Sequence, residues 1–299
     1  MSLTASLRAS ITALALLSGT AWADPAIWRL SAGEDSELWL LGSVHYLREQ
    51  DHPLPDVIEQ LYARADALVM EIDLDDLDPI SIQTQFMMAA LLPASTSLSN
   101  VVDADVYRLA ETTAGSLGLD IAALERIEPW LVALTLMDLG MTRLGFRSEQ
   151  GLEQYLLGRA REDAKPIYGL ESPTDQIRVF DGLRSEEQEA LLAQTLAELD
   201  SAGENMDELL TAWRDGSLAT LTDKLSASFD DFPGLYAALV VDRNRRWIPE
   251  LERLAAQPGR HLVIVGALHL VGDNNVIDLL RGRGLAVTPY SLPSSKGSE

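Results

Sequence analysis

Two short glycine-histidine stretches carry the residue types and spacing in this chain best suited to chemistry. Gly42-Ser43-Val44-His45 follows the apolar run Leu38 to Leu41, and Gly266-Ala267-Leu268-His269 follows the apolar run Leu262 to Val265. With 4 His and 20 Gly in 299 residues, chance supplies about 0.3 Gly-x-x-His matches at ordinary glycine usage. Two matches that both end a strand-like run are a stronger signal, because the carboxyl ends of strands are where α/β proteins place ligands. Two glutamates stand comparably: Glu71 within the run Ala67 to Ile72, and Glu171 just after Lys165 to Leu170. Two imidazoles and one or two carboxylates on one rim suit a hydrolytic metal site, holding a divalent ion and leaving a position for water. A carboxylate not used as a ligand would serve as general base. Glycine three residues before each histidine would let the backbone turn sharply and approach the ion.

Arg243, Asn244, Arg245 and Arg246 form the dense basic cluster of an acidic chain. One or two, Arg243 or Arg245 foremost, are expected to face the site as an anion clamp or transition-state stabiliser. Each residue also has a plain structural alternative. The histidines could cap strands, Glu71 could form a buried ion pair with Arg243 or Arg245, and Glu171 could complement the helix after Pro173. His52 and His261 read as structural. The acidic run Glu71 to Asp78 lacks the glycine and terminal glutamate of an EF-hand and reads as a solvated turn. GxSxG, P-loop and HExxH signatures are absent, so serine-hydrolase, NTPase and zincin chemistry have no support in the residues.

These side chains need elements to position them. Ala26 to Leu30 and Glu37 to Ser43 read as two strands joined by a turn, and Leu54-Pro55 to Arg64 as a helix with Val57, Ile58, Leu61 and Tyr62 on its apolar face. Ala67 to Ile72 is the next strand. Helical periodicity follows over Ile80 to Leu92, Ala104 to Ser116, Pro129 to Leu144 and Leu152 to Arg161, with Asp103 as an N-cap. After the strand Lys165 to Leu170, further helices are expected at Asp175 to Phe180, Ser185 to Leu199, Met206 to Asp215 and Leu235 to Ala256. The chain closes with a strand His261 to Val265, a helix Asn274 to Arg281 and a strand Leu285 to Pro289. The pattern predicts an α/β fold: a mostly parallel central sheet built from both chain ends, with a large helical insertion in the middle.

Residues 1–23 read as a signal peptide: Arg8, the apolar Ile11 to Leu17, and the cleavage site Ala21-Trp22-Ala23. That predicts a periplasmic or secreted protein with one domain over residues 24–299, its helical insertions spanning about 75–162 and 173–256. No later stretch offers ~20 uninterrupted apolar residues, so no stable membrane insertion is expected. A net charge of −23 disfavours nucleic acid and anionic membranes as partners. With no cysteine, a thiol nucleophile and thiolate metal ligands are excluded, and any ion must sit on imidazole and oxygen.

The segments GSVH, ADALVMEID, GLEQYLLGRA, KPIYGLES, RNRRW and VGALHLVGDNNVIDLLRGRG together resemble the TraB/PrgY/GumN family, related to the Tiki metalloproteases, and the resemblance covers nearly the whole chain after residue 23. It implies a fold similar to the erythromycin-esterase and haem-binding ChaN proteins, and a metal-dependent hydrolase, most simply a peptidase. Carried onto this sequence, the metal ligands are His45, His269 and Glu71, the ion manganese, cobalt or zinc, and the further site members Glu171 and Arg243 or Arg245. At Glu153 the family pattern leads one to expect aspartate, and no role follows for that carboxylate. The substrate is then a peptide or small molecule. Ligation needs neutral imidazole, so activity should fall below the histidine range of ~6 to 7. Two other readings fit the residues: a metal-free esterase-type hydrolase in which histidine activates water, and a peptide- or cofactor-binding protein without turnover.

Overall fold

The computed structural model describes residues 25–33, 35–73, 78–230 and 232–291. Residues 1–23, read as a signal peptide, and most of the acidic turn after Asp73 lie outside the described residues. Six strands form one sheet: β1 (Ile27–Gly33), β2 (Ser36–Ser43), β3 (Ala67–Ile72), β4 (Ile167–Glu171), β5 (Gly259–Gly266) and β6 (Val287–Pro289), in the order β4-β3-β5-β2-β1-β6. β1 and β2 form the expected antiparallel hairpin, β6 pairs antiparallel to β1, and β2, β3, β4 and β5 run parallel. The sheet is therefore mixed and mostly parallel. β2 and β5 lie inside it and read as continuous apolar runs because helices cover both faces; Leu38 to Leu41 and Leu262 to Val265 are all buried.

Register, rather than strand order alone, assembles the rim. Ser43 pairs with Gly266 across β2 and β5, Met70 with Ile264 across β3 and β5, and Ile72 with Glu171 across β3 and β4. The carboxyl ends of four parallel strands thus finish level, and His45, Glu71, Glu171 and His269 leave from adjacent positions.

The helix Asp56–Arg64 buries Val57, Ile58, Leu61 and Tyr62 as its spacing requires, with Pro55 at the N-cap beside the first turn. The helix expected over Ile80 to Leu92 covers Pro79–Ala89 instead, because Leu91 turns away to bridge Ile127 and Pro93 bars continuation. The stretch expected as one helix from Leu235 to Ala256 is composite. It runs as Pro233–Tyr236, a π-helical turn Ala237–Val241, and the α-helix Asp242–Ala255. A helix at Leu218–Ser226 has no counterpart in the sequence reading; it buries a single large apolar residue, Leu221, too little periodicity to detect.

Two apolar cores result. One wraps the sheet and includes Leu152, Leu156 and Leu157 of the helix Leu152–Glu162. The other lies among the helices, where Trp130, Val132 and Leu136 of Pro129–Arg143 meet Leu192 and Leu196 of Ser185–Leu199. Among the described residues no helix is long and apolar enough to cross a membrane.

Candidate active site

His45, Glu71 and His269 converge on Gly266. A Cβ built at Gly266 would lie 3.4 Å from Glu71 Oε1, 3.4 Å from His45 Nε2 and 3.6 Å from His269 Cδ2. Gly266 has φ −49°, an ordinary value for any L-residue, so its backbone does not call for glycine, and a Cβ there would stand in van der Waals contact with all three side chains. At Gly42 a Cβ would come within 3.1 Å of Ala267 Cα. The expected sharp glycine turns are thus replaced by close packing of the two histidine loops.

His269 is buried in a fixed tautomer. Asn244 Nδ2 donates to the Asn274 carbonyl at 3.0 Å, leaving Asn244 Oδ1 to accept from His269 Nδ1–H at 2.6 Å. Asn274, at φ 55°, adopts the left-handed conformation that asparagine tolerates. The Nε2 lone pair of His269 accepts from Arg243 Nη1 at 3.2 Å, and the ring tilts against Trp247 with centroids 4.5 Å apart. Burial drives the His269 pKa down to about 3, so the ring is neutral.

His45 is the opposite case. Its side chain is 60% exposed, yet Nδ1 lies 2.7 Å from Glu153 Oε1, and the Glu153 charge pulls its pKa up to about 9. Glu153 occupies the first turn of the helix Leu152–Glu162, where a carboxylate complements the helix dipole. Gly151 precedes it, since a side chain there would overlap the His45 carbonyl. Ser43 Oγ also donates to Glu153 Oε1. Burial opposes the Glu153 charge, but the facing His45 and the hydrogen bond from Ser43 hold its carboxyl below the usual range.

Arg243 binds both remaining glutamates. Nη2 donates to Glu71 Oε2 and to Glu171 Oε1, each at 2.5 Å, and Nε donates to Glu171 Oε1 at 3.1 Å. Trp247 Nε1 donates to the other Glu171 oxygen at 3.2 Å. Glu171, with its side chain only 4% exposed, is thereby enclosed by donors and placed to orient Arg243. Glu71 accepts from Gly266 N at 2.8 Å and from Gln176 Nε2 at 3.3 Å. Burial opposes its charge, but Arg243 and the two histidines bring its pKa down to about 2. The π-helical turn precedes Arg243 by one residue, and its Leu239 carbonyl accepts from Arg243 Nη1 at 3.3 Å; such turns are frequent at functional sites.

The structure thus brings together His45, Glu71, Glu171, Arg243 and His269. It does not bring in Arg245, which is exposed and pairs with Asp242 at 3.3 Å, because residues 243 and 245 point to different sides of one helix. His52 bonds the Gln150 carbonyl and His261 lies at the far end of β5. Sequence reasoning passed over Glu153, Gln176 and the supporting roles of Asn244 and Trp247. Trp247 had a signal, standing four residues from Arg243 and so on the same helix face.

In kind, the donors fit a divalent ion. Both imidazoles are backed at Nδ1 by an acceptor, as metal-binding histidines are, and Glu71 lies between them. Arg243 competes for the same atoms: among the described residues no group of three acidic, histidine or cysteine side chains forms a ready cage. An ion would need Arg243 to release His269. A cavity of about 660 Å³, walled by Met137, Met206, Leu209 and Phe229, meets the histidine turn only at Leu268.

A sequence profile of the TraB/PrgY/gumN family matches residues 26–289. The chain belongs to this family. The family match spans every strand and every site residue named above. The uncharacterized protein YbaP of Escherichia coli (strain K12) is 28% identical over 270 residues, covering 90% of this chain and 97% of its own. The YbaP protein of Shigella flexneri is 29% identical over 242 residues, 81% of this chain and 87% of its own. An uncharacterized Treponema pallidum (strain Nichols) protein is 26% identical, covering 85% of this chain and 79% of its own. No solved structure matches this family member.

The pairing of His45 with Glu153 is directly measurable. In the family member as isolated, the His45 ring proton resonance should titrate near pH 9, and Glu153→Gln should return it towards the ordinary ~6.5. A His45 titration unmoved by that substitution would show that Glu153 does not set its proton affinity.

Proposed function

We propose that this chain is a hydrolase acting on peptide bonds, with one water molecule activated where His45, Glu71 and His269 meet. The observation that carries the reading is the convergence of these three side chains on Gly266, within 3.6 Å of one point. The peptide as substrate rests on what the TraB/PrgY/GumN resemblance implies through that family's expected relation to the Tiki metalloproteases.

In the metal-dependent form, His45 Nε2, His269 Nε2 and a Glu71 oxygen would hold the ion. Bound there, a divalent ion lowers the pKa of water and polarises a carbonyl. The remaining steps belong to the chain. Glu171 and Trp247 hold Arg243 in place, and Arg243, freed from His269, offers a donor to the oxyanion that builds on the attacked carbonyl. Buried Trp247 shields Arg243 and Glu171 from water, which strengthens the interactions between them. Asn244 and Glu153 keep the two rings from turning.

A metal-free form is favoured by one specific contact, that of Arg243 Nη1 on His269 Nε2. There His45, made more basic by Glu153, takes the proton from water, and Glu71 orients that water. Both forms need His45 without its Nε2 proton. With a pKa raised to about 9, that form is scarce at neutral pH and grows as pH rises. Activity should therefore climb towards pH 9, instead of levelling above the ordinary histidine range as the sequence alone suggests.

Protein purified without chelator, loaded with manganese, cobalt or zinc and counted by mass spectrometry separates the forms. About one ion per chain is expected, taken up more tightly with rising pH as His45 gives up its proton, and lost in His45→Ala and His269→Ala. Less than ~0.1 ion per chain after loading removes the metal form. Cleavage of a quenched-fluorescence peptide library that persists without ions establishes the metal-free form. Peptide binding without cleavage under every ion would sink the hydrolase reading in favour of a binding protein.

A further inference from the structure

The helix Pro79–Ala89 carries apolar residues on two sides, and the described residues cover one of them. Its inward face is Ile82, Phe86 and Ala89, with Phe86 against Trp130 at 6.1 Å between ring centroids. Its outward face carries Ile80, Met87 and Met88, continued by Leu91 just past the helix end. These are 74%, 44%, 65% and 45% exposed. Ile80, Met87 and Met88 share one helix face with Thr84 between them, and Leu91 extends this exposed stripe beyond the helix end, where the chain turns towards Ile127. No charged residue occurs between Asp78 and Asp103, in a chain that is 23% charged. Ser81, Gln83, Thr84 and Gln85 make the helix polar in part, and the large apolar groups exposed on its outward face mark a place where something docks. Two methionines in the stripe suit it to ligands of varied shape.

Charge selects the occupant. Carboxylates stand near both ends of the stripe: Asp78 caps the helix at one end, and at the other Glu125 and Glu128 lie within two residues of Ile127, which bridges Leu91, while accepting from Tyr107 and from Trp130 and Gln188 respectively. The basic group at that end, Arg126, spends its guanidinium on the carbonyls of Leu92, Ala94 and Thr96. The whole chain is at −23. A second copy would bring the same charge against itself, and an anionic membrane would be repelled alike. A segment that is apolar on one side and cationic at its margins satisfies both the stripe and its rim. We propose that this face docks a cationic amphipathic peptide segment, in the helix-in-groove manner of amphipathic targets. The placement is close to the chemistry. The helix follows the strand bearing Glu71 and packs against Pro173–Asp181, whose Gln176 donates to Glu71. The docking does not depend on the hydrolase reading, and binding, not turnover, tests it.

The experiment uses the full chain and a fluorescein-labelled leucine-lysine peptide about 14 residues long, four helical turns, read by fluorescence anisotropy. A leucine-glutamate peptide of the same pattern is the control. The double variant Ile80→Ser/Met88→Ser leaves net charge unchanged and alters only exposed positions, so its circular dichroism and melting should match the parent. The expected result is binding of the cationic peptide alone, weakened at least about tenfold in the double variant, as loss of central apolar anchors produces. Equal binding by the double variant would show charge without the stripe and overturn the proposal, as would failure of the cationic peptide to bind. A parent dimer in sedimentation that the double variant turns into monomer would assign the stripe to a second copy instead. Flotation with phosphatidylcholine vesicles, lost in the double variant, would assign it to lipid.

Discussion

Arg243→Ala should lower stability by about 3–5 kcal/mol, the usual cost of removing one partner from a buried ion pair. The side chains of Arg243, Glu71 and Glu171 are 12%, 14% and 4% exposed, so neither carboxylate finds adequate water when the guanidinium goes. In a domain of this size the loss reads as a fall of roughly 10 °C in Tm. Arg243→Lys should be intermediate, because an ammonium is a point charge and cannot bridge two carboxylates in fixed directions. The Glu71 pKa, held at about 2 chiefly by Arg243 against burial, should rise. Stability that depends on ionised Glu71 is present above its unfolded pKa and lost as pH falls through the folded one, so the parent resists acid that the variant does not. A double-mutant cycle with Glu171→Gln should return a coupling of about 1–3 kcal/mol. A coupling near zero, or a loss under ~1 kcal/mol, would mean that water already screens the trio.

His45→Ala should do the reverse: remove activity and spare the fold. The ring is 60% exposed, so little packing is lost, and the exposed half of its pair with Glu153 contributes at most about 1 kcal/mol. The rate of library cleavage should fall by about 10² to 10⁴, the range for a positioned acid or base. His269→Ala should cost both. That ring is buried between Trp247 and Arg243, and its removal leaves a cavity and strands Asn244 Oδ1, together about 3 kcal/mol. Equal melting temperatures for the two alanine variants would contradict the burial difference on which this contrast rests. A His45→Ala protein that cleaves at the parental rate would remove His45 from the mechanism.

The strands and the residues at their ends were legible from the chain alone, because a buried parallel strand must be continuously apolar and a polar residue at its end has few places to go. Ala67 to Ile72 reads as a strand and is one, and Glu71 at its end faces the rim. Asp103 reads as an N-cap and accepts from Asp105 N. The family resemblance pointed to the same histidines.

Contacts between residues far apart in sequence were another matter. Glu153 lies over a hundred positions from His45, on a helix whose apolar pattern says where it packs but not which histidine it meets, and Ser43, two residues before that histidine, reaches the same carboxylate. Arg243 and Arg245 are equivalent in composition; the direction each takes from one helix separates the residue that holds two buried glutamates from one that pairs with a surface aspartate. The two histidines began as copies of one motif. Folding set their pKa values near 9 and 3, because proton affinity answers to burial and to neighbouring charge, and local spacing encodes neither.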